Sequence, residues 1–251
     1  MKKYIICLIA ALMVLMLAAC GSSSDTPAQD GSEDKAGEQE QEEEVAEEVH
    51  PYAWLGLQDM PTCDYVDILA SNHYYKKSAM YVKDLSYVGK EINAVDGINT
   101  FKDDGNSKNY SIGGKITSIN ENSKTYMEED MSDMAEAAAE NYEKAMEEGT
   151  NMPGRSFVEK GSGTIPVYSE QAGDKGEYEY YEYHYPELEK NGEDSYTERF
   201  YMKDGDVFVI YNKTVWGDTV IESAEAIKKM TADIPDGTFD VPDLTGYKKQ
   251  N

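Results

Sequence analysis

"TERFYMKDGDVFVIYN", Thr197 to Asn212, sets Asp204-Gly205 between two runs of β-prone residues, the strongest short-range signal for a hairpin. A two-residue loop there places Met202 opposite Val207 and Phe200 opposite Val209 on one face. The other face then pairs Tyr201 with Phe208 and Arg199 with Ile210. Both faces carry apolar groups, whereas a sheet wetted on one side alternates more cleanly. The hairpin is therefore expected to have protein packed against each face.

Just upstream, "GEYEYYEYHYPELE", Gly176 to Glu189, crowds five tyrosines between Tyr178 and Tyr185. In a strand, Tyr181, Tyr183 and Tyr185 project from one side, and Tyr178, Tyr180, Glu182 and His184 from the other. Tyrosine buries its ring while its hydroxyl stays wet. The favoured reading is plain β-structure, with a ligand surface as the alternative. Further back, "NYSIGGKITSINENSKTYMEED", Asn109 to Asp130, predicts a hairpin about Gly113-Gly114 and a turn at Asn120 to Ser123. "NHYYKKSAMYVKDLSYVGKEINAV", Asn72 to Val95, reads as further strands. No repeat of solenoid or propeller length recurs.

The one clear helix is "MSDMAEAAAENYEKAMEEG", Met131 to Gly149, with Ser132 or Asp133 as N-cap and Gly149 as the stop. Met131, Met134, Ala135, Ala138, Tyr142, Ala145 and Met146 fall on one face at helical spacing. That stripe docks the helix, and because methionine adapts to irregular apolar surfaces it can also line a cavity. "TVIESAEAIKKMTADI", Thr219 to Ile234, stays open: its Ala/Glu/Lys content favours helix, and its place after a hairpin favours a final strand.

The N-terminus speaks about location. Met1, Lys2 and Lys3 precede an apolar run, Tyr4 to Leu17, that ends in "LAAC", Leu17 to Cys20. A charged start, a short apolar stretch and small residues before a cut site form a secretory signal. The run is also shorter than the roughly 20 apolar residues of a bilayer span. The cysteine after Leu-Ala-Ala resembles the bacterial lipoprotein signal, or lipobox. That resemblance implies cleavage before Cys20, acylation of its thiol, and a cell-membrane lipoprotein facing the extracytoplasmic side. Residues 1–19 are then the signal peptide. Two acyl chains, palmitate-like in length, hold a protein on a membrane where one does not.

Gly21 to Val49 carries eleven acids against the single Lys35 and almost no apolar side chains. Such a segment cannot bury enough surface to offset its ordering entropy, so residues 20–49 are expected to be a lipidated, disordered tether. Of the formal charge of −26, the signal lysines and the tether set aside, His50 to Asn251 still holds about −18. That balance repels phosphate backbones and argues against nucleic acid as a partner. Residues 50–251 fit one domain. Within it Cys63 is unpaired and reads as a small buried hydrophobe.

Chemistry-bearing motifs are missing from the sequence. His50, His73 and His184 stand in no metal-ligand spacing, and no G-x-S-x-G elbow or glycine-rich phosphate loop occurs. "DDGNS", Asp103 to Ser107, lacks the spaced ligands of a calcium loop and reads as a turn. The expectation is a non-enzyme with no cofactor and no metal.

The order of these pieces carries one further resemblance. A strand-rich start, paired hairpins and a midway Ala/Met helix lead to "DKGEYEYYEY", Asp174 to Tyr183, and "RFYMKDGDVFVIY", Arg199 to Tyr211. The chain closes on "IPDGTFDVPDLTGYKK", Ile234 to Lys249, with Phe239, Pro242, Gly246, Tyr247 and Lys248. This arrangement resembles the LolA/LolB-like, or lipoprotein-carrier, superfamily. The resemblance implies an α+β, mainly β fold: a strongly curved antiparallel sheet, a half-barrel, with one or more helices on its concave side. It also implies lipid binding, a lipid-like apolar or amphipathic ligand held there. Candidate ligand contacts are Met131, Met134, Ala138, Tyr142 and Met146 on the helix, and Tyr181, Tyr183 and Tyr185 on the strand. The alternative is a surface interaction module for a protein or a cell-wall glycan.

Overall fold

The computed structural model describes residues 49–83, 87–186 and 194–250. Residues 1–48, with the expected signal segment, Cys20 and all of the expected acidic tether but Val49, lie outside these residues. Pro51–Asn251 forms one compact unit. It is mainly β: the described residues form twelve strands in one curved, unclosed sheet, with three α-helices.

Two antiparallel meanders build the sheet. The first is β1 (His73–Val82), β2 (Tyr87–Asp96), β3 (Asn99–Asp103), β4 (Ser107–Ile112), β5 (Lys115–Asn120) and β6 (Thr125–Asp130). The second is β7 (Ser156–Gly163), β8 (Tyr178–His184), β9 (Ser195–Lys203), β10 (Asp206–Trp216) and β11 (Thr219–Thr231). β11 pairs with β1 and joins them, while the two-residue β12 (Lys248–Lys249) adds parallel to β6. The helices are α1 (Asp64–Ala70), α2 (Ser132–Glu148) and α3 (Tyr168–Gln171), preceded by a 3-10 turn at Ala53–Leu55.

Local chemistry explains most of the turns. Asp204 and Gly205 have φ of 54° and 86°, the paired positive values of a type I′ hairpin, and Gly113 and Gly114 repeat the pattern at 54° and 80°. In the β3–β4 turn the Asp104 carboxylate accepts hydrogen bonds from the N–H groups of Asn106 and Ser107, at 2.8 and 2.7 Å. The Asn120 side chain does the same for Asn122 and Ser123.

The hairpin of Thr197 to Asn212 forms, with one correction to its register. Met202 does face Val207, but a bulge at Phe208 then sets Tyr201 opposite Val209, Phe200 opposite Ile210 and Arg199 opposite Tyr211. The extra residue lets Phe208 join Tyr168 and Tyr178 on one side while Ile210 turns to the other. Thr219 to Ile234 resolves as strand through Thr231. Ala224 and Ala226, 0 % and 2 % exposed, lie in the interior of the sheet, where β10 and β1 saturate the backbone on both sides. That ladder outweighs the helical preference of alanine and glutamate.

Both faces of β8–β10 are filled, as the hairpin's apolar pattern predicts. The inner, helix-bearing face sets Tyr181, Tyr183, Phe200 and Ile210 against Trp54, Leu57, Val66 and the α2 residue Ala145. The outer face sets Tyr180, Tyr201, Val209 and Tyr211 against Ile165 and Val167, with Tyr168 of α3 packed alongside. Each large side chain buried this way contributes about 1.5–3 kcal/mol. Cys63 is buried in the inner core, and burial pushes its thiol up to about 11.

α2 ends where glycine predicts: Gly149, in the left-handed region, donates its N–H to Ala145. At its start Met131, rather than Ser132 or Asp133, occupies the N-cap position. The Asp130 carboxylate accepts instead from the Ser132 N–H and hydroxyl at 3.1 and 2.6 Å, and these bonds hold its pKa below the ordinary value.

Candidate functional site

The site is the inner face of the first meander and the helix above it. α2 starts against the β4–β5 turn, where Met131 donates its N–H to the Gly114 carbonyl at 2.8 Å. A Cβ on Gly114 would lie 2.8 Å from that of Ala135, so glycine is what lets the helix dock there. At the other end Tyr142 packs edge-on against Trp54, ring centroids 6.0 Å apart. Tyr142 also lies within the electrostatic reach of Tyr74 on β1, and burial raises its hydroxyl pKa. A helix of this length runs about 25 Å. From β5 to β1 is four strand spacings, about 19 Å. α2 is thus long enough to reach across β1–β4, and Ala135, Ala138, Ala139 and Tyr142 form a half-buried stripe along it.

The floor below this stripe is polar. Strand alternation and register put Tyr74 and Lys76 of β1, Glu91 and Asn93 of β2, Lys102 of β3 and Asn109 of β4 on the inner face. Lys102 Nζ stands 2.9 Å from Glu91 Oε2, and Asn93 Nδ2 donates to Glu91 Oε1 at 2.6 Å. Beside them Lys76 pairs with Glu225 of β11 at 2.7 Å. Burial works against the Lys76 charge, but Glu225 more than offsets it, so the ammonium pKa stands above its ordinary value. Burial likewise opposes the Glu225 charge, and Lys76 and Ser78 hold its pKa below the usual one.

A second ionic group closes the β9 side. Arg155 Nε donates to Glu198 Oε2 and to the Tyr185 hydroxyl, both at 2.8 Å, and Arg155 Nη1 donates to the Leu55 carbonyl at 2.8 Å. Tyr185 donates in turn to Glu198 Oε2 at 2.7 Å. Burial raises the Tyr185 hydroxyl well above its ordinary pKa. The inner face thus alternates cations and carboxylates, each cation already balanced. It offers hydrogen bonds and local dipoles rather than net charge.

The candidate residues separate into three groups. Ala138, Tyr142 and Met146 face inward on α2, and Tyr142 and Met146 pack on the same core as Tyr181 and Tyr183. Tyr183 is 0 % exposed and Tyr181 7 %, so these two rings are part of the filled interior. Tyr185 sits in the Arg155–Glu198 network, and Met131 caps the helix half-buried. Met134 turns the other way and is 55 % exposed, because its position rotates out of the docked stripe. Cys20 lies outside the described residues.

Arg155, Glu198, Lys76, Glu225 and Lys102 were not singled out from the sequence. Their only signal there is charge inside β-prone runs, and in a chain with 49 acids that marks nothing. An open cleft of about 350 Å³ lies between α1, the β9–β10 turn and the end of β11, with Ile227 and Met230 of the inner core in its lining. Among the described residues, no cluster of three or more His, Cys, Asp or Glu is placed to hold a metal ion, and no helix is long and apolar enough to cross a membrane. Comparison with protein-family models and with curated proteins finds no match.

Proposed function

We propose that the chain is a membrane-anchored extracytoplasmic lipoprotein, held through acylated Cys20. Its folded unit binds an amphipathic, lipid-like ligand between α2 and the inner face of β1–β4, and performs no reaction. One observation carries the reading: the two walls of that site are chemically opposite. Above is a stripe of alanine and tyrosine, and below are Glu91, Asn93, Lys102 and Asn109. A ligand with an apolar body and a polar head suits both, whereas a bare acyl chain would lie against a charged floor whose groups it cannot hydrogen-bond. The half-barrel resemblance to lipoprotein carriers supports the same reading.

The test pairs a fluorescent short-chain phospholipid with two variants. Ala138→Trp fills the space under the helix and Lys102→Leu removes the polar floor. Both are expected to weaken saturable probe binding at least tenfold while the melting temperature stays within a few degrees. Binding unchanged in both variants would refute the site. The anchor is tested separately: Cys20→Ser is expected to release the protein from the membrane fraction or leave it unprocessed, and normal cleavage with full membrane retention would refute it.

The second reading, an interaction module for a protein or glycan, draws on the β10–β11 hairpin tip. There Trp216 is 64 % exposed and Val220 54 %. Probe binding that fails altogether in the parent, with Trp216→Ser abolishing capture of a native partner, would favour it.

A further inference from the structure

The cleft beside α1 leads to a group of exposed lysines on this acidic unit. Lys77 of β1 and Lys229 of β11 are direct cross-strand partners, an arrangement of like charges that costs stability. Both ammonium groups lie over the ring of Tyr75, 5.5 and 6.0 Å from its centroid, which offsets part of that cost. Lys228, the extra residue of the β11 bulge, lines the cleft with Lys229 and Lys203. Lys203 in turn lies 5.7 Å from the centroid of Phe208. All four lysines are exposed, and among the described residues none of them takes part in an ion pair. Asp64, Asp204 and Asp206 share the cleft. The Asp206 carboxylate is already engaged, accepting from the backbone N–H groups of Tyr65 and Val207 at 2.9 Å each.

We propose that Lys77, Lys203, Lys228 and Lys229 form the surface by which the folded unit meets an anionic lipid bilayer. The choice of a bilayer rests on the proposed anchor at Cys20, since a tether of some 30 residues spans roughly 30 Å as a flexible coil and keeps the unit within reach of the membrane. The net charge of the unit opposes such contact at long range. At physiological salt, screening over about 8 Å removes most of that repulsion and leaves the local lysines, with the aspartates of the cleft beside them, to act. Four exposed ammonium groups, three of them over aromatic rings, suit a plane of phosphate headgroups, where each lysine strengthens binding about fivefold.

The experiment uses the chain from Gly21 onward, which contains the whole compact unit and has no acyl chain, so the result does not depend on the anchor. It is sedimented with vesicles of equimolar phosphatidylglycerol and phosphatidylcholine in 0.15 M salt. The expected result is binding to these vesicles, none to pure phosphatidylcholine, and loss in 0.5 M salt. Single Lys77→Gln and Lys229→Gln changes are expected to weaken binding about fivefold each, and the fourfold Lys→Gln variant at least a hundredfold. Lys144→Gln with Lys160→Gln, which lower the net charge equally per residue but lie elsewhere, should leave it unchanged. Equal loss in that control, equal binding to neutral vesicles, or complete displacement by 10 mM inorganic phosphate would each overturn the proposal. If the fourfold variant fails to fold, the two single variants decide.

Discussion

Removing the Glu198 carboxylate should expose how much of the fold depends on one buried ionic group. Arg155 and Glu198 are 13 % and 10 % exposed at their side chains, and among the described residues the guanidinium donates to Glu198, Tyr185 and the Leu55 carbonyl. Glu198→Ala leaves that guanidinium buried with two neutral acceptors, a loss of about 3–5 kcal/mol. Tyr185→Phe keeps the ion pair and removes one hydroxyl, which costs about 1–3 kcal/mol. With a urea slope of about 2 kcal/mol/M, Glu198→Ala should lower the unfolding midpoint by about 2 M and Tyr185→Phe by about 1 M. The double change Arg155→Met with Glu198→Leu removes both charges, so it should be more stable than either single variant. Urea unfolding followed by tyrosine and tryptophan fluorescence measures all four. A midpoint shift under about 0.5 M for Glu198→Ala would refute the reasoning, because the guanidinium would then be finding water that the fold is taken to exclude.

Other consequences follow from single residues. Leu57, fully buried under the inner face, should cost about 2–5 kcal/mol as Leu57→Ala, read as a lowered melting temperature. Cys63, its thiol pushed up to about 11 by burial, should react with a disulfide reagent at pH 8 far more slowly in the native protein than in urea. Its folded pKa lies above the ordinary 9.0, so its contribution to stability is full below pH 9 and fades as pH rises toward 11. Glu121, held down to about 2 by the Tyr247 hydroxyl and by Lys124, works in the opposite direction. The contact of Tyr247 with the β5–β6 turn should be intact above about pH 4.5 and weaken as pH falls toward 2, a change visible in the Tyr247 ring resonances. Tyr247→Phe should raise the Glu121 pKa part of the way back, since Lys124 and Lys108 still lower it.

The α2 stripe shows how far local pattern carries. Helical spacing alone puts Met131, Ala138, Tyr142 and Met146 on one side, and they are the residues that turn inward. Met134 belongs to the same broad apolar arc by spacing, yet it lies at the edge of that arc and points to solvent, because the docked stripe is narrower than the apolar pattern. The tyrosine strand behaves alike. Its two-sided pattern is visible in the sequence, but which side is filled by Leu57 and Val66 and which by Ile165 and Val167 depends on segments far away in the chain.

The sequence by itself determined what is written at short range: the type I′ turns at Asp204-Gly205 and Gly113-Gly114, the strands between them, and the helix closed by Gly149. Each follows from the φ angles that glycine and aspartate tolerate and from spacing within about a dozen residues. Only the tertiary structure decided the bulge at Phe208, the strand at Thr219–Thr231 and the buried partners of Arg155 and Lys76. These depend on contacts such as Ala79 with Ala226 across the β1–β11 seam, between residues far apart in the chain. The free energy of a buried ladder or ion pair belongs to both partners at once, so neither segment's local sequence contains it.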